Sequence, residues 1–275
     1  MHAASSASEA LSMGRLLVQI SDCHLPAEAG GLFRGTDPQR RLQAVVADIR
    51  MRFPDVDCLL LTGDLTHHGG ADAYHRLLET VEGLAPDCYW LPGNHDRCEV
   101  MRDVATGPLQ QKCIDLVRWR LLMLDSTAQP DGRGGGSLAQ SELNWLEASL
   151  AAAGERPVLI ALHHNPVAVG SAWQDEIMLG NAADFWRIVD AYPQVRGVIF
   201  GHVHQAHALQ RGEVSLFSAP STAVQFQAHQ AEFALEPDPQ LARPGYRLYR
   251  LQDDGRLKSR VIRVDELTVA DPGQR

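Results

Sequence analysis

The chain has 275 residues, 45% hydrophobic and 21% charged, with Gly 23 and Pro 15. These ordinary globular values exclude disorder, collagen or coiled coil as a description of the whole. Lys+Arg total 25 against Asp+Glu 34, a net charge of −9, so neither a nucleic-acid partner held by a basic footprint nor docking on an anionic membrane is expected.

The start, MHAASSASEALSMG, has no basic n-region and no apolar h-region. No secretory leader is expected, and the Ala/Ser bias predicts a disordered tail over 1–13. One domain is expected over 14–265, with a short C-terminal tail over 266–275. No run of about 18 apolar residues exists, so no membrane-spanning helix is predicted.

Taken in order, 15–20 (RLLVQI) reads as a buried strand. Leu42, Val45, Val46 and Ile49 recur at helical spacing over 38–52, with Pro38 near the start. A second strand follows at 57–62, a helix at 71–81 and a third strand at 88–91. This βαβαβ rhythm predicts parallel strands with crossover helices. Beyond it, strands are predicted at 120–125, 157–162 and 195–200, with helices at 137–150 and 181–191 and a Gly-rich loop at 131–136. The pattern then shortens to strands at 213–218, 223–226, 246–251 and 257–264. The fold class is α/β, with two sheets packed face to face and helices outside.

The five cysteines are Cys23, Cys58, Cys88, Cys98 and Cys113, an odd number with no CxxC pair. A chain this long folds without staples. Reduced thiols in the cytoplasm fit best, with Cys58 and Cys88 as core filler.

Twelve residues are His, and their placement carries the chemistry. The predicted strands run into Ser21-Asp22-Cys23-His24, Gly63-Asp64, Gly93-Asn94-His95-Asp96, His163-His164-Asn165-Pro166 and Gly201-His202-Val203-His204. The C-terminal strand ends of an open α/β sheet form its ligand crevice. Asp, Asn and His offer oxygen and imidazole nitrogen without thiolate, a donor set that suits Mn, Fe or Zn. Asp22-x-His24 and His202-x-His204 each put two donors on one side of an extended chain. Seven donors exceed one ordinary site and suit two metals that share a carboxylate. Alone, each motif is more often a turn or a satisfied polar residue; all five in order after apolar runs form a joint pattern.

These blocks, DxH, GD, GNHD, HxP and GHxH, resemble those of the calcineurin-like metallophosphoesterases over residues 16 to 204. The resemblance implies a four-layer αββα sandwich with a dinuclear centre, of iron with manganese or of zinc, cobalt or magnesium. It implies Asp22, His24 and His204 on one metal, Asn94, His164 and His202 on the other, and Asp64 on both. His164 is preferred to His163 because it fits the HxP spacing to Pro166; His163 is then a packed residue on the opposite face. His95 would be the catalytic histidine, and His24, Asp64, Asn94, His95 and His204 would contact the substrate. Many relatives carry an Asp shortly after the GD that supports this histidine. Here His67-His68 follows instead, leaving Asp96 or His67 as the support, or both histidines as ordinary loop residues.

Further blocks resemble bacterial class III cyclic AMP phosphodiesterases: WLPGNHD at 90–96, Trp173-x-Asp175, Leu179-x-Asn181, PSTAVQF at 220–226, His229 and PGYR at 244–247. That likeness implies hydrolysis of 3',5'-cyclic AMP to 5'-AMP by a hydroxide bridging the two metals. The alternatives are another phosphodiesterase or phosphomonoesterase on the same centre, acting on glycerophosphodiesters or nucleotides, and a metal-binding scaffold without catalysis. A homodimer is expected only on base rates.

Overall fold

In the computed structural model, residues 14–265 are described; the two expected tails, 1–13 and 266–275, lie outside the described residues. Strands β1 (Arg15–Ile20), β2 (Cys58–Thr62) and β3 (Asp87–Leu91) send alternate side chains to opposite faces. Leu17, Cys58 and Leu60 join one apolar cluster, while Val18, Ile20, Leu59 and Leu61 join another. Burial on both faces is why these strands read as continuous apolar runs.

The outer cluster packs under α1 (Pro38–Arg52), α2 (Ala71–Val81) and α3 (Cys98–Val104). Helix α1 starts where its chemistry dictates. The Asp37 side chain accepts from Arg40 N at 3.1 Å, Pro38 occupies the first turn, and Arg50 and Arg52 sit in the last. Leu42, Val45, Val46 and Ile49 then face the sheet.

The second sheet contains β4 (Cys113–Leu116), β5 (Trp119–Met123), β6 (Val158–Ala161), β7 (Val195–Phe200), β8 (Ala208–Arg211) and β9 (Val214–Ser218), in the order β4-β5-β6-β7-β9-β8. Its outer face packs on α4 (Gln140–Ala153) and α6 (Ala182–Val189); the single turn α5 (Ala172–Asp175) lies between them in sequence. Strands β10 (Gly245–Leu251) and β11 (Leu257–Arg263) extend the first sheet antiparallel, giving β11-β10-β1-β2-β3.

Between the sheets, Leu17, Leu60 and Tyr89 meet Trp119, Leu121, Leu159 and Ile199. The layers are therefore helix, sheet, sheet, helix, as expected. A buried polar chain ties the sheets near their C-terminal ends. Tyr249 OH donates to Gln19 Oε1 at 2.6 Å, and Gln19 Nε2 donates to Thr62 Oγ1 at 2.8 Å and Phe200 O at 3.0 Å.

Two departures have physical causes. The segment expected as a strand at 223–226 pairs only through an isolated bridge of Phe226 to Leu235. Its backbone serves the site instead: Val224 O accepts from His204 Nδ1 at 2.8 Å, and Phe226 N donates to His204 O at 3.2 Å. Helices α3 and α5 and strands β4 and β8 were not predicted, because four to seven residues carry too little periodicity. Among the described residues, no helix is long and apolar enough to cross a membrane.

Candidate dinuclear metal centre

Five strands deliver the chemistry. Asp22 and His24 follow β1, Asp64 follows β2, Asn94 and His95 follow β3, His163 and His164 follow β6, and His202 and His204 follow β7. The extended alternation expected for DxH and HxH is not how the pairs converge. Asp22, His24, Asp64, His202 and His204 have φ of 55°, 47°, 50°, 69° and 49°, in the left-handed region. Such conformations cost non-glycine residues about 1–3 kcal/mol each and cluster at functional sites. Neighbouring loops hold them: Asp22 N donates to Gly63 O at 3.0 Å, His24 N to Asp64 O at 2.9 Å, and His202 N to Asp22 Oδ1 at 3.0 Å. Such close packing needs glycine at two places. A Cβ on Gly93 would strike Asp64, and one on Gly201 would strike Ser21 and Asp22.

Among the described residues three sets of donor atoms each gather within 4.8 Å: Asp22, His24, Asp64 and His204 form the first, Asp64, His163 and His202 the second, and His24, His67 and His95 a third without a carboxylate. In the first, His24 Nε2 lies 2.9 Å from His204 Nε2, and His204 Nε2 lies 3.4 Å from Asp22 Oδ1. In the second, Asn94 Oδ1 lies 3.0 Å from His202 Nδ1 and 3.1 Å from His163 Nε2. Asp64 spans both, with Oδ2 3.7 Å from His24 Nε2 and Oδ1 3.5 Å from His163 Nε2. The rings are oriented from behind. His204 Nδ1 donates to Val224 O, and His163 Nδ1 donates to Thr62 O at 2.9 Å. A ring N–H committed to a carbonyl turns the other nitrogen's lone pair into the cluster.

One residue departs from the sequence expectation. It is His163, not His164, whose nitrogen meets Asp64 and Asn94. His164 Nε2 donates to Gly134 O at 3.0 Å, and its Nδ1 lies 2.8 Å from Ser126 Oγ. The cause is strand alternation. His163 continues the face of Ala161, in the layer between the sheets, while His164 follows Leu162 toward the helices. Counting back from Pro166 picks the wrong face.

The electrostatics suit cations. Burial pushes His24 and His202 well below the usual imidazole range and His204 down to about 3, so these rings are neutral, the form a metal ion would need. Burial also pushes Asp22 up to about 7, against the pull of His163. Burial works the same way on Asp64, but the charge and hydrogen bond of His163 prevail and hold it well below the carboxylate range. Burial works against the charge on His163, but Asp64 pulls this ring up to about 9, so in the bare chain it supplies the positive partner that buried carboxylates need, a role that bound cations would take over. His24 Nδ1 and His202 Nε2 are also buried without a partner. Oxygen and nitrogen donors at this spacing fit two metal ions.

His95 stands beside the centre. Its backbone N donates to Asp64 Oδ1 at 2.8 Å, and its Nδ1 lies 3.2 Å from His68 Nε2. Neither expected support fills that place. The Asp96 carboxylate is spent on Leu65 N, Thr66 N, Gly93 N and Tyr74 OH, at 2.9–3.1 Å. His67 packs its ring 4.7 Å from that of His95. Phe33 stacks on His24 at 4.3 Å and Phe226 on His204 at 4.0 Å. Phe226 was visible in the sequence block at 220–226; Phe33 carried no signal.

A cavity of about 230 Å³ opens on the centre, lined by His24, Asp64, Asn94, His95, Phe33, Phe226 and Trp173 among others. Asp175, Asn181 and Gln225 brace loops. Asp175 accepts from Val169 N at 2.7 Å, Asn181 exchanges two bonds with Leu138 at 2.8 and 2.9 Å, and Gln225 donates to Ser221 O at 2.7 Å. His229 is held by its backbone N, which donates to Ser171 Oγ at 2.9 Å.

The chain belongs to the calcineurin-like phosphoesterase family, whose pattern it matches over residues 16–206. It is 40% identical over 253 residues to the 3',5'-cyclic adenosine monophosphate phosphodiesterase CpdA of Pseudomonas aeruginosa, covering 92% of this chain and 91% of that protein. It is 35% identical to a 3',5'-cyclic-nucleotide phosphodiesterase of Nostoc sp., covering 90% and 92%. Among solved structures, a dimetal phosphatase from Danio rerio shares the fold with a TM-score of 0.60 at 14% identity, covering 92% of this chain and 100% of that one.

Proposed function

We propose that the chain is a metal-dependent phosphodiesterase that hydrolyses 3',5'-cyclic AMP to 5'-AMP. One observation carries the reading: two buried donor sets share Asp64 in a chain whose relatives, similar over nine-tenths of its length, bear names for this activity. Asp22, His24 and His204 would hold one ion, Asn94, His163 and His202 the other, and Asp64 both. The donor set supports iron or manganese, with zinc, cobalt or magnesium as substitutes. Bound cations would supply Lewis acidity and an activated water.

The remaining work falls to the chain itself. His95 lines the cavity and presents its ring as a hydrogen-bond donor to the oxygen that leaves phosphorus. Asp64 fixes the His95 backbone as well as facing both donor sets. The stacked rings of Phe33 and Phe226 hold His24 and His204 in place and shield that side from water. The cavity takes a small ligand rather than a polymer, in keeping with the acidic surface. The cysteine pattern supports a cytoplasmic setting.

Turnover of a panel spanning cyclic AMP, cyclic GMP, a glycerophosphodiester and a monoester tests this. Conversion of cyclic AMP to 5'-AMP is expected. Robust cleavage of other diesters with no turnover of a cyclic nucleotide would sink the substrate assignment.

A further inference from the structure

The geometry points to His68 as a positioning residue that holds His95 in the tautomer able to donate to the leaving oxygen; this rests on the function proposed above. The two loops are joined twice at this point. His68 N donates to His95 O at 3.1 Å, and His68 Nε2 lies 3.2 Å from His95 Nδ1. A bond between two imidazoles needs one N–H and one lone pair. His68 is exposed, and an exposed neutral imidazole ordinarily carries its proton on Nε2. His68 Nε2–H therefore donates to His95 Nδ1, which leaves the His95 proton on Nε2, the other edge of a ring that lines the cavity.

Among the described residues, His68 Nε2 is the group at hydrogen-bond distance from His95 Nδ1, while His67 packs ring against ring. Both Asp96 oxygens are filled by Leu65 N, Thr66 N, Gly93 N and Tyr74 OH. His68 is also held at φ 56°, a left-handed conformation that its surroundings must enforce. A donor on the leaving oxygen matters most when that oxygen departs as an alkoxide. It matters little for p-nitrophenolate, which carries its own charge well. His68 thus acts through His95 in proportion to the leaving group's need.

The test compares two diesters on the full chain loaded with Mn²⁺: 3',5'-cyclic AMP, with an alkoxide leaving group, and bis(p-nitrophenyl) phosphate, with p-nitrophenolate. His68→Ala is expected to lower kcat for cyclic AMP by about 10- to 100-fold, the usual span for a group that orients a functional side chain. The ratio of the two turnovers should fall nearly as far, with metal content unchanged. His68→Gln keeps an N–H at similar reach and should restore most of the ratio. Equal loss on both diesters, no loss on either, or failure of Gln to restore what Ala removes overturns the inference. If the parent protein cleaves bis(p-nitrophenyl) phosphate but no cyclic nucleotide, the substrate assignment fails separately. The same ratio is then read with glycerophosphocholine, whose leaving group is also an alkoxide.

Discussion

At the scale of the residue, the centre depends on which nitrogen faces which way. His163 offers Nε2 to Asp64 and Asn94, whereas His164 has given its Nε2–H to Gly134 O. His163→Ala is therefore expected to lose about one of two metal equivalents, and His164→Ala to keep both, by elemental analysis of purified protein. Equal loss from both variants would contradict this division. His95→Ala should retain its metal and lose about 10²–10³ in kcat on cyclic AMP, the usual effect of removing one preorganised donor; collapse of metal content would show that His95 is structural. The motifs made most of these residues legible, because Asp and His after an apolar run are chemically unusual. The choice between two adjacent histidines was not, since it depends on which face Ala161 and Leu162 take. His68 was visible only as a departure, and Phe33 not at all, because its stacking on His24 joins separate loops.

Among the elements, long buried strands and helices with clear boundaries were readable. Helix α1 was expected at its observed limits because Pro38 opens it and four apolar residues share its inner face. The second half was less legible, since β4 and β8 are edge strands of four residues each. Loop-to-loop braces such as Asp96 were also hidden, because backbone partners leave no side-chain signature. Asp96→Asn replaces an acceptor of four bonds with a group that must turn an NH₂ toward donors. It should lower stability by about 1–3 kcal/mol, as for a buried partner left unsatisfied, in urea unfolding of the metal-free protein. A change below a few tenths would mean that the brace is slack.

Across the whole molecule, the net charge of −9 is awkward for an enzyme of anionic substrates only while the site is counted as bare residues. Asp22 and Asp64 lie buried where two cations would make the cleft locally positive. The acidic surface then disfavours polyanions without excluding a small phosphodiester. Burial also gives the fold a pH signature away from the centre. It holds His207 down at about 4, whereas the unfolded chain takes that proton near pH 6.5. Because the folded value is depressed, the stability present above about pH 6.5 is lost as pH falls toward 4. Urea midpoints should therefore drop from pH 7 to pH 5, and His207→Gln should flatten that drop.

The most direct measurement takes metal stoichiometry and cyclic AMP turnover from one sample. Two equivalents of metal per chain, with 5'-AMP as the product and loss of both on chelation, are expected. Two bound equivalents with no hydrolysis of cyclic AMP would contradict the proposed function and leave a metal-binding scaffold in its place.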